Sequence, residues 1–241
     1  MKKFFVFLVL FSAVEVACSK GLETDDDTVV SERFTASDII DWTYEHQDTS
    51  TVNPCSLEGN VVCIKTRANT YDRAKLHTDK LYQDGTYTWK TYIPEVGEGD
   101  MTSVGSWIYC DDQHEVDFEV GYGTAEMRQK AHCSDGQLVA CMTNQAFPYK
   151  SGYVPIDPGW HEFTIDMDLY DASGKGAMFY EITWSIDGVE KQTLQTQYGT
   201  SSATFRIYVS VENLKFIGSH IASQDNVGKF EWITFKGHKQ Q

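Results

Sequence analysis

The chain has 241 residues, with 35 Asp plus Glu against 20 Lys plus Arg, for a formal net charge of −15 at pH 7. Such a surface repels phosphate backbones, which argues against a nucleic-acid partner, and it favours neutral over polyanionic sugars. At 41% hydrophobic residues the chain can bury a sizeable core, and the length beyond residue 36 fits one domain of the larger all-β kind.

In chain order, MKKFFVFLVLFSAVEVAC places Lys2 and Lys3 before an apolar run from Phe4 to Val14 that is too short to span a bilayer. Residues 1–17 are therefore expected to be an export signal. Val16-Ala17-Cys18 resembles a bacterial lipoprotein cleavage site, so Cys18 is the expected lipidated residue and a bacterial cell surface or outer membrane the expected location. Plain secretion is the alternative. Residues 18–36 are polar and include Asp25, Asp26 and Asp27, the composition of a disordered tether. Ser37 could cap a short helix over residues 37–44.

Residues 37–241 read as a single sandwich. Short runs rich in β-branched and aromatic residues recur between turn signals such as Gln83-Asp84-Gly85, Ser134-Asp135-Gly136 and Asp187-Gly188. Phe163, Ile165 and Met167 alternate with Thr164, Asp166 and Asp168, and Phe205, Ile207, Val209 and Val211 alternate with small or polar residues. Each run predicts a strand with one core face.

The most informative stretch is Gln113 to Gly123, QHEVDFEVGYG. Successive strand side chains point to opposite faces, so Glu115, Asp117 and Glu119 share one face while Val116, Phe118 and Val120 share the other. Three crowded carboxyls raise the pKa of at least one member, and a retaining glycosidase needs one ionised and one protonated carboxyl about 5–5.5 Å apart. Two glutamates leaning inward over a shorter aspartate suit that separation better than the about 6.5–9.5 Å of inversion. The bland alternative is a solvated polar sheet face.

Glu115-Val-Asp117-Phe-Glu119 resembles the E-[IV]-D-x-E signature of glycoside hydrolase family 16. Asn60 to Arg67, Leu81 to Pro94, Ser106 to Tyr109, Trp160 to Asp166 and Ile182 to Gly188 are similar to strands of that family in its order. The resemblance implies a concanavalin A-like β-jelly roll of two antiparallel sheets with a concave substrate groove. It further implies an endo-acting retaining β-glycan hydrolase, with Glu115 as nucleophile, Glu119 as general acid and then base, and Asp117 tuning Glu115. The absence of an extra residue between Asp117 and Glu119 resembles the lichenase and xyloglucan branch. Gln113 and His114 depart from the Trp or Asp common before the first Glu, and Thr88-Trp89-Lys90 from the Glu-x-Arg often seen near the preceding turn.

Aromatic residues make up 13% of the chain, and sugar C–H faces lie flat on such rings. Trp107, Tyr109, Tyr122, Tyr149 and Trp184 are the candidate platforms, with core packing as the alternative for each; Trp107 and Trp184 match aromatic positions of the family. Asn144 matches a family Asn that could bond a sugar hydroxyl, or it is a turn residue. His114 and His161 read as structural. Of six cysteines, Cys18 is reserved for lipid, Cys55 with Cys63 and Cys133 with Cys141 are expected to staple hairpins, and Cys110 is left free. No cofactor or zinc spacing is present; a structural calcium is compatible with the acids, without assignable ligands. The expected partner is a neutral polysaccharide, met by a monomer that touches membrane only through its lipid. A transglycosylase and a non-catalytic glycan-binding lipoprotein are the competing readings.

Overall fold

The computed structural model describes residues 29–33, 42–145, 149–171, 178–196 and 203–237. The expected export signal, most of the expected tether and Cys18 lie outside them. Two antiparallel sheets stack face to face. The first runs β13 (Val189–Thr196), β12 (Met178–Ile186), β11 (Gly159–Asp171), β6 (Gly85–Ile93), β15 (Asn226–Gly237), β4 (Val61–Thr66), β3 (Cys55–Glu58), with β1 (Val29–Arg33) also paired to β15. The second, acid-bearing sheet runs β10 (Lys150–Ile156), β9 (Leu138–Asn144), β8 (His114–Gly121), β7 (Thr102–Asp111), β14 (Arg206–Asn213), β5 (Arg73–Thr78), β2 (Trp42–His46). This is the expected two-sheet jelly roll.

Period-two alternation builds the core. Phe163, Ile165 and Met167 of β11 and Phe205, Ile207, Val209 and Val211 at and along β14 are all buried, as are Val116, Phe118 and Val120 of β8. Phe118 meets Phe163 across the sheets with ring centroids 5.0 Å apart. The predicted turn at Asp187-Gly188 has both residues at positive φ, 51° and 74°, the geometry that lets a two-residue hairpin follow the strand twist.

Two expectations fail locally. Residues 42–44 of the predicted helix open strand β2 instead, its register fixed by pairing Trp42 with Thr78 and Tyr44 with Leu76; residues 37–41 lie outside the described residues. The helix that does form, α1 (Ala125–Ala131), carries readable signals: Thr124 accepts from the Met127 amide, Glu126 sits in the first turn, and Arg128 and Lys130 in the last.

The expected disulfides are also absent among the described residues, where Cys55, Cys63, Cys110, Cys133 and Cys141 are all thiols. In the β3–β4 pair, Cys55 is opposite Ile64 and Cys63 opposite Ser56. One register step separates them, so the two sulfurs point to opposite faces of the sheet. Cys133 lies in the same small apolar cluster as Cys141, but its thiol donates to the Leu138 carbonyl at 3.4 Å.

One tie crosses the sandwich to the acid strand. Trp184, fully buried on β12, donates its indole N–H to the Asp117 backbone carbonyl at 3.1 Å. Trp184→Phe removes that bond and part of a packed side chain, so it should cost about 2–3 kcal/mol in denaturant unfolding. An unchanged midpoint would mean the tie carries no stability.

Candidate active site

Strand β8 lies between β7 and β9 with its valines and phenylalanine in the core, which forces Glu115, Asp117 and Glu119 onto the outer face. Register then fixes their neighbours. On β7, Tyr109, Trp107 and Gly105 stand opposite Glu115, Asp117 and Glu119. On β9, Thr143 and Cys141 stand opposite Asp117 and Glu119. Beyond β7, the same face carries Tyr208, Ser210 and Glu212 of β14, and then His77, Lys75 and Arg73 of β5.

The face is walled as well as floored. Trp107 stacks on Tyr208 at 4.0 Å between centroids and donates its indole N–H to Ser210 Oγ at 3.1 Å. Gly105 makes this possible, since a Cβ there would sit 3.0 Å from Trp107 Cδ1. On the other side, Val139 and Cys141 join Ala131 of α1 and Leu214 and Ile217 of the loop after β14 in a second apolar cluster. Through Cys141, which stands opposite Glu119, that cluster packs at the Glu119 end of the face, where Glu119 is half-buried.

Desolvation governs the carboxyls. Glu115 is pushed up to about 7, first by burial and further by the charges of Asp112 and Glu212; a hydrogen bond with Asp117 and the charge of Lys75 pull the other way. Glu119 is pushed up to about 8 by burial, Glu212 and Glu115, against the hydroxyl of Ser103, which donates to it, and Lys75. Asp117, 3% exposed, is held well above the ordinary carboxyl range by burial and by both glutamates. Its Oδ2 accepts from Gln145 Nε2 at 3.3 Å while its Oδ1 meets no donor, the condition of an oxygen that carries a proton. Burial and the two glutamates together favour a proton on Asp117, and the Asp117 side chain holds Glu115 lower than burial alone would.

Not every expected site residue joins this face. Trp107 is on it, opposite Asp117, though the Tyr208 stack leaves it 7% exposed. Trp184 is corrected: it is fully buried between the sheets, so it supports the acid strand and offers no platform. Asn144 is corrected too, because it pairs with Val116 and therefore sits on the core side, 1% exposed. Its neighbour Gln145 is the residue that reaches Asp117. Tyr122 lies beyond the end of β8, its ring under the Arg128 guanidinium at 4.2 Å, lining a cavity of about 720 Å³ that contains none of the three acids. Tyr109 is half-buried on the acid face, and Tyr149 is 65% exposed before β10. His161 is fixed between Asp187 and the Asp157 carbonyl, and His114 is held by Asp111. No cluster of three or more His, Cys, Asp or Glu able to hold a metal occurs among the described residues.

No protein-family model and no curated protein matches the sequence. Solved structures do match the fold. A Bacteroides ovatus mixed-linkage-glucan GH16 enzyme with a bound G4G4G3G product superposes at TM-score 0.58 with 15% identity, over 86% of this chain and 99% of that one. The chain has the fold of the family 16 glycoside hydrolases. The Bacillus licheniformis β-glucanase gives TM-score 0.59 and 13% identity over 90% of this chain and 100% of that one. The Crh5 transglycosylase gives 0.62 and 16% over 91% and 87%. The chain thus covers 87–100% of the length of these neighbours at 13–16% sequence identity.

The raised carboxyls predict how stability depends on pH. The folded state binds protons that the unfolded chain releases near the ordinary glutamate value of 4.5, so stability should fall as pH rises from there through about 8. Glu119→Gln should flatten that fall and gain stability over wild type at pH 9. Thermal unfolding across pH 4–9 checks this; parallel curves for the two proteins would show that Glu119 is not desolvated.

Proposed function

We propose that the chain is a retaining, endo-acting hydrolase of a neutral β-glycan. The observation that carries the reading is the placement of Glu115, Asp117 and Glu119 on one face of β8, between the Trp107–Tyr109 side and Gln145, with burial raising all three carboxyls. Double displacement needs one such carboxyl ionised and one protonated. Glu115, ionised first and steadied by the Asp117 proton, attacks the anomeric carbon, while Glu119, which holds its proton to higher pH, gives it to the departing oxygen. Glu119, then a carboxylate, draws a proton from water as that water releases the sugar from Glu115. Tyr109, half-buried on the acid face and backed by the buried Trp107–Tyr208 stack, is the ring against which a sugar rests. The mixed-linkage-glucan enzyme among the structural neighbours supports a β-glucan as first choice, and the fold supports a chain-binding face open along its length.

Transfer to a sugar hydroxyl is the second reading, favoured by the similarity to the Crh5 transglycosylase. It shares the covalent step and differs only in which acceptor reaches it. Export, with Cys18 holding the domain at a cell surface through an acidic tether, completes the proposal and fits an enzyme whose polymeric substrate lies outside the cell. A calcium ion bound elsewhere for stability remains part of the proposal without named ligands.

Incubation of residues 19–241 with neutral β-glucans, xyloglucan and galactans should give oligosaccharides whose newly formed ends keep the β-configuration by NMR. Glu115→Gln and Glu119→Gln should each remain folded and lose at least about 10³-fold in rate. The pH profile of kcat/KM should be a narrow bell with limbs near about 7 and about 8. Undiminished activity in either variant, or inverted products, would overturn the assignment; glycan binding without cleavage by wild type would make the domain a lectin.

A further inference from the structure

The acid face carries a buried ion pair that the mechanism above does not use. Lys75 of β5 is 3% exposed and its Nζ lies 3.6 Å from Glu212 Oε2 of β14, itself 3% exposed. Arg73 holds the same carboxylate oxygen at 3.0 Å from the solvent side. Burying such a pair gives little net stability, because desolvation offsets the attraction. Stability alone therefore does not explain a lysine here.

Its position does. Lys75 pairs with Ser210, Ser210 with Gly105, and Gly105 with Glu119, so one row across four strands runs from the ammonium to the general acid over two residues with almost no side chain. The Lys75 Nζ lies 5.2 Å from the centre of the Trp107 ring, and Trp107 stands opposite Asp117. The ammonium is thus aimed along the face toward the carboxyls.

Other charges around the acids do not replace it. The β7 side presents Tyr109 and, in the turn that follows, Asp112; the β9 side presents Thr143, Cys141 and Gln145, none of them cationic. Farther along β14 and β5, Arg206 pairs with Tyr109 on the far flank, and His77 lies 3.9 Å from Glu45. Lys75 lowers the proton affinity of both Glu115 and Glu119, and Glu212 raises both.

We propose that Lys75 is a positioning residue for the reaction: held between Glu212 and the Trp107 ring, its ammonium is the buried counter-charge of the carboxyl row on β8, and Glu212 sets how much of that charge the row receives. The proposal rests on the hydrolase reading for its meaning, but its test does not need substrate.

Carboxyl titration of Glu115 and Glu119 by ¹³C NMR, in wild type and three variants, decides it. Lys75→Met should raise both midpoints by about one pH unit, the order expected for losing one nearby partly buried charge. Glu212→Gln should lower both, and Lys75→Arg should leave both close to wild type. The acid limb of kcat/KM should move in the same directions while KM changes little. A packing role would shift both variants the same way, so shifts of one sign, or no shift in a folded Lys75→Met protein, would overturn the proposal. If Lys75→Met does not fold, Lys75→Gln takes its place: raised midpoints support the proposal and unchanged ones refute it. Failure of the hydrolase reading shows separately, as turnover by Glu115→Gln with the titration shifts intact.

Discussion

Three carboxyl groups on alternate residues of one strand, the middle one buried and the outer two half-buried, resist being charged together at neutral pH. That constraint organises this protein. Each ionised carboxylate in a desolvated row raises the cost of the next, so protons are retained in order of burial and of partners. Asp117, between the other two and least exposed, is raised most clearly by burial and by both glutamates; Glu119 is raised by burial and Glu212, and Glu115 by burial against the pull of Asp117 and Lys75.

The sandwich exists to hold that row rigid and dry. Val116, Phe118 and Val120 root the strand in the core, the Trp184 indole ties its backbone to the opposite sheet, and Gln145 steadies Asp117 from the neighbouring strand. The small cluster of α1, β9 and the loop after β14 desolvates one end, while the Trp107–Tyr208 stack walls the flank. Stability is lost where the protons are kept, since a row that folds best when protonated is weakened as the medium turns alkaline. An active site that trades stability for unequal acids is what acid–base chemistry on one face requires.

How much of this was legible in the sequence follows the range of each interaction. Alternation within β8, β11 and β14 is local, with a period of two, and the strands, their core faces and the acid row could be read from residues alone. What lay hidden depends on register between strands. Asn144 belongs to the core side because it pairs with Val116, and Cys55 misses Cys63 because their strands are offset by one step; both facts are set by partners, not by neighbours in sequence. Trp184 has the composition of a sugar platform and the burial of a core residue, and only the second sheet decides between them. The pairing of Lys75 with Glu212 joins positions far apart in the chain, so no motif announces it. Helix α1 was the exception, a local signal in Thr124, Glu126, Arg128 and Lys130 that alternation elsewhere overshadowed.

The proton order also frames the difference between hydrolysis and transfer. On the proposed mechanism both begin with Glu115 bonded to sugar and Glu119 ionised, and they part only when water or a sugar hydroxyl reaches the base. Residues that shape access to that space, Tyr109 and Gln145 among the described ones, then matter more to the outcome than the acids themselves. The most direct test of the whole arrangement is to trap the covalent step: react the domain with a 2-deoxy-2-fluoro β-glucosyl donor carrying a good leaving group, digest it, and locate the added mass by peptide sequencing in the spectrometer. A single glycosyl group on Glu115 is the expected result. A label on Glu119, or a fully active enzyme that takes no label anywhere, would contradict it.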